Sequence, residues 1–84
     1  MNTLVDKSQL AAKVKLIFHE KLGVEEANLT PNASLYNDLG LDSLDVLETL
    51  MAIEKEFGIK ISDEDAEKLT TFGAVVNYVI DRVR

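Results

Sequence analysis

At 84 residues and with no cysteine, the chain suits one domain whose core is too small for a deep catalytic cleft, and no disulfide or thiolate metal site can brace it. A large enzyme is excluded, and apolar helical packing has to hold the fold together. The formal charge of −6 lies in the middle of the chain: residues 38–67 hold ten acids against Lys55 and Lys60, whereas residues 1–37 balance four acids with four bases. A field of that sign repels nucleic acid and anionic lipid and steers basic surfaces toward it, although it also reads as a solvated face that aids solubility.

No apolar run approaches the roughly 18 residues of a membrane span, and residues 1–15 lack the uninterrupted apolar block of a secretory leader. The expected setting is the cytoplasm, and the expected state is a monomer.

The first helix is predicted over residues 8–22, with Leu10, Val14, Ile17 and Phe18 on one face. Asp6 with Gln9 resembles a capping box, and Gly23 is the stop. Residues 24–41 contain Pro31, three Asn and Gly40, with Leu29, Leu35 and Leu39 as apolar pins, so they form a long ordered loop rather than a flexible linker.

The second helix spans Ser43–Phe57. At 100° per residue, Val46, Leu50, Ile53 and Phe57 share a narrow arc that seats it on the core. Leu44, Leu47 and Met51 form a second apolar stripe displaced from the first. Glu54 falls between the two, where full burial would strand a carboxylate at a cost of several kcal/mol. The second stripe is therefore expected to be half buried, edged by Asp45 and Glu48 on its other side. The alternative is that it meets another helix of the bundle. A short third helix over residues 63–69 is capped by Ser62, and a fourth begins after Thr71 as N-cap, with Phe72, Val75, Val76, Val79, Ile80 and Val83 on one face. The expected class is all-α: a four-helix bundle with a long loop after the first helix and a short third helix, all in one domain over residues 1–84.

Asp42-Ser43-Leu44-Asp45 is the candidate site. It sets a serine at the start of an acidic amphipathic helix just after a Gly-containing turn, although Ser and Asp are also what an ordinary helix cap uses. Ser43 has no base for nucleophilic catalysis, since the only histidine, His19, lies on the first helix. Asp38 to Asp45 lacks the alternating ligands and sixth-position Gly of an EF-hand, and the four glycines are too isolated for a phosphate loop. No catalytic and no metal-ligating residue is expected.

Gly40-Leu41-Asp42-Ser43-Leu44-Asp45, followed by Glu48, Met51-Ala52-Ile53-Glu54, Glu56-Phe57, Ile59 to Ile61, Asp63-Glu64-Asp65-Ala66-Glu67-Lys68 and Thr70-Thr71, resembles the acyl carrier proteins of bacterial fatty acid synthesis. The resemblance runs from about Val14 to Ile80. It implies that a phosphopantetheinyl transferase esterifies Ser43, flanked by Asp42 and Leu44, with 4'-phosphopantetheine from coenzyme A. Acyl groups would ride as thioesters on the terminal thiol, which a cysteine-free chain cannot itself supply. A helix N-terminus suits such a phosphodiester.

Leu44, Asp45, Leu47, Glu48, Met51 and Glu54 are then the expected docking surface for fatty acid synthesis enzymes with basic patches. The family also shelters its acyl chain between helices, which points to a pocket lined by some of Leu50, Ile53, Ile61, Ala66, Leu69 and Val76. Ser62, Lys55 and the apolar start at Val46-Leu47 depart from the usual pattern. They leave open a specialised pathway such as polyketide, lipopolysaccharide or lipoteichoic acid assembly. From the residues alone, an unmodified acidic adaptor also stays open.

Overall fold

The computed structural model describes residues 6–83; residues 1–5 and Arg84, which entered the leader and charge readings, lie outside it. Four helices follow in order: α1 (Lys7–Leu22), α2 (Ser43–Phe57), α3 (Asp63–Lys68) and α4 (Phe72–Val83). Asp6 caps α1, but its carboxylate accepts from the Ser8 N–H at 2.9 Å and from the Ser8 hydroxyl at 2.9 Å. The expected box with Gln9 is replaced by this nearer partner, and α1 begins one residue early. Gly23 ends α1 in the left-handed region, its N–H donating to His19 O at 2.8 Å.

The bundle closes where α1 meets α2 and α4. Val14 and Phe18 from α1, Ile53 from α2, and Val75 and Val79 from α4 are almost fully buried, and Phe18 meets Phe72 edge-on at 5.4 Å. The T-shaped geometry sets the positive ring edge of one against the negative face of the other. On α4, Thr71 Oγ1 accepts from the Ala74 N–H at 3.1 Å, the cap expected of it.

The segment between α1 and α2 is ordered by its own side chains. Leu29 and Leu35 are buried and Leu39 is half buried, as pins should be, but Ala33 and Leu41 are buried as well. A 3-10 turn over Glu26–Asn28 interrupts the loop, and Ser34 pairs with Thr71 as an isolated antiparallel bridge. Leu35 N–H donates to Thr70 O at 2.9 Å, Phe72 N–H to Ala33 O at 3.0 Å and Gly73 N–H to Pro31 O at 2.9 Å. The loop is thus stitched to the start of α4.

The third helix is slightly shorter than expected, with Leu69 as its C-cap rather than its last residue. Ser62 Oγ accepts from the Asp65 N–H at 3.1 Å, and Asp63, Glu64 and Asp65 occupy the first turn, where the helix dipole favours acids.

Candidate functional site

Two anchors deliver the chain to the start of α2. Gly40 takes φ 68°, which a side chain would resist, and Leu41 then drops into the core with its N–H on Leu35 O at 3.0 Å. Asp42 follows in extended backbone. Its Oδ1 accepts from the Asp45 N–H at 2.8 Å, while Asp45 Oδ2 accepts from the Asp42 N–H at 3.2 Å. This reciprocal pair makes Asp42 the cap and Ser43 the first helical residue. The cap reading of Ser43 is thereby overturned: its side chain is exposed, and among the described residues no hydrogen bond engages its hydroxyl.

The box satisfies the N–H groups of Asp42 and Asp45. Those of Ser43 and Leu44 are left without a protein acceptor among the described residues, since an α-helix offers none to its first turn. Two free N–H groups, the positive end of the α2 dipole and an exposed hydroxyl fit the phosphate of a phosphodiester at Ser43. Asp45 is half buried, and its carbonyl accepts the hydroxyl of Thr49 at 2.8 Å. Thr49 is fully buried, so this bond keeps the polar side chain of the α1-facing surface satisfied.

Beside Ser43 runs the second stripe of α2. Leu44 is 60% exposed, Leu47 49% and Met51 56%, whereas Val46, Leu50 and Ile53 are buried. The stripe is about half open, as expected, and Leu47 and Met51 look onto the gap between α2 and α3. Glu48 is exposed along its edge. Glu54 is half buried, and its Oε2 accepts from the Ile61 N–H at 2.7 Å. One of its oxygens is therefore committed to tying the α2–α3 connection back onto α2, which separates it from the exposed acid Glu48.

A cleft of about 270 Å³ opens between α2 and α3, lined by Leu47, Leu50, Met51, Glu54, Ile61, Asp63 and Ala66. Leu50, Ile61 and Ala66 stand where the pocket reading expected them. Ile53, Leu69 and Val76 do not line the cleft; they are buried in the core. Leu47 and Met51 were missed as lining residues, although the wheel placed them next to the core arc: the same side chains edge the cleft and form the exposed stripe.

His19 Nδ1 donates to Val24 O at 2.8 Å at the end of α1. Among the described residues no helix is long and apolar enough to cross a membrane.

Residues 12–79 match the family model described as the phosphopantetheine attachment site. The chain is also 45% identical over 76 residues to a protein of Thermotoga maritima named acyl carrier protein, a match covering 90% of this chain and 94% of that one.

Proposed function

The chain belongs to the phosphopantetheine-attachment family and, within it, to the acyl carrier proteins, and we propose from this that Ser43 is the residue that bears the arm. As a carrier and not a catalyst, it holds acyl groups as thioesters on the thiol that phosphopantetheine supplies. The observation that supports Ser43 is its free, exposed hydroxyl at the uncapped N–H groups of α2. Asp42 fixes the backbone around it, the N–H groups of Ser43 and Leu44 receive the phosphate oxygens, and the Leu44 side chain stands exposed beside the attachment point.

The pathway we propose is fatty acid synthesis, in the cytoplasm and with the protein as a monomer. A phosphopantetheinyl transferase and the acyl-processing enzymes dock on Leu44, Leu47 and Met51, with Asp45, Glu48 and the outward oxygen of Glu54 facing their Lys and Arg side chains. The acyl chain enters the cleft between α2 and α3, since each methylene hidden from water contributes roughly 0.8 kcal/mol.

Incubation with coenzyme A and a phosphopantetheinyl transferase, followed by weighing, tests the assignment. The wild type should gain the mass of one phosphopantetheine and Ser43→Ala none. Labelling of the mutant would move the site elsewhere, and an unlabelled wild type would favour an unmodified acidic adaptor.

A further inference from the structure

The α3 helix is the least anchored of the four, with six residues and none of them buried. Ala66 and the C-cap Leu69 pack on the core; the remaining contacts that hold it are polar. Toward α4, Tyr78 Oη donates to Asp65 Oδ2 at 2.7 Å, and Arg82 Nη2 donates to the same oxygen at 3.2 Å. The Arg82 guanidinium lies 4.6 Å over the Tyr78 ring, so the three side chains brace one another. Toward α2, the Glu54 carboxylate holds the Ile61 N–H.

These contacts surround a second cleft of about 530 Å³, lined in part by Asp65, Tyr78 and Arg82. Glu54 of α2, Ile61 of the connection and Asp63 of α3 line both clefts, so these three residues form the wall between them. Ala66 lines the α2–α3 cleft, and Asp65 is its neighbour on the helix. Anything that pushes Ala66 outward also pulls on Asp65.

We propose that Tyr78, acting through Asp65, is a positioning residue that sets how long an acyl chain the α2–α3 cleft accepts. The proposal rests on the reading that this cleft houses the acyl chain. Short chains fill the existing space and leave the clasp closed. Longer ones gain burial only by displacing α3, which requires the phenol to part from the carboxylate. A hydrogen bond to an ionised acceptor is stronger than a neutral one, so the clasp resists that displacement. The length at which further methylenes stop adding stability is then a property of the clasp and not of cleft volume alone.

The test is to load wild type, Tyr78→Phe and Asp65→Asn with saturated acyl chains of increasing length and record the gain in Tm over each unloaded protein. The unloaded variants should melt a few degrees lower, as loss of one contact in a domain of this size allows. In wild type the gain should rise and then level off; in Tyr78→Phe it should keep rising beyond that length, with Asp65→Asn between the two. If all three proteins level off at the same length, Tyr78 merely contributes stability and the proposal fails, while the cleft reading stands. A gain of zero at every length in wild type overturns the cleft reading and the proposal with it.

Discussion

Asp42 and Asp45 exchange hydrogen bonds across the first turn of α2, and this leaves the Ser43 hydroxyl with no structural duty. Ser43→Ala should therefore stay within about 0.5 kcal/mol of wild type in urea unfolding, whereas Asp42→Ala should lose about 1 kcal/mol. The tetrapeptide announced a helix start, but Asp and Ser are equally good caps, so the order of tasks within it was not legible. Asp6 shows the same limit: its preference for Ser8 over Gln9 depends on side-chain reach. Tyr78 adds a pH dependence. Desolvation and the Asp65 bond hold its phenol above the ordinary 10.0, with Arg82 opposing. A folded-state pKa raised in this way means stability that is fully present below pH 10.0 and lost as pH climbs through the folded value. The stability difference between wild type and Tyr78→Phe should be constant from neutral pH to about 10 and shrink above it, as read by urea unfolding at each pH.

Periodicity read the elements well wherever one face is continuous. The buried arc and exposed stripe of α2 were both visible from spacing, as were the caps Ser62 and Thr71 and the apolar face of α4. The loop was harder. Leu29 and Leu35 stand out among polar neighbours, but Leu41 lies between Gly40 and Asp42 ahead of the helix, where helical periodicity does not mark it as buried. The bridge from Ser34 to Thr71 joins segments far apart in sequence and leaves no local trace. Gly73 records that contact indirectly. A Cβ there would sit 2.6 Å from Pro31 O, a backbone atom that cannot swing aside. Gly73→Ala should cost about 1–3 kcal/mol through overpacking, although Ala is the better helix former by up to about 1 kcal/mol. A midpoint of denaturation at or above wild type would show that the loop can retreat from α4.

Across the whole molecule, the acids divide into those with structural work and those facing water. Asp38 Oδ2 accepts from the Ser34 N–H at 2.7 Å, Asp65 holds Tyr78 and Arg82, and Glu54 holds Ile61. Glu48 and Glu64 are exposed, and such charges act on partners chiefly through the long-range field. Association with a basic-patched enzyme should therefore slow as salt rises, because the screening length is about 8 Å at physiological strength, with the dissociation rate changing far less. Stopped-flow association rates that ignore salt would leave the apolar stripe as the sole attraction. The stitching of residues 31–35 to residues 70–73 also bears on biosynthesis. Thr70, Phe72 and Gly73 are translated well after Ser43, so a nascent chain still lacking them has none of these bonds to hold the segment that leads into the serine. The hydroxyl reaches its finished setting only once the last helix has emerged from the ribosome and docked.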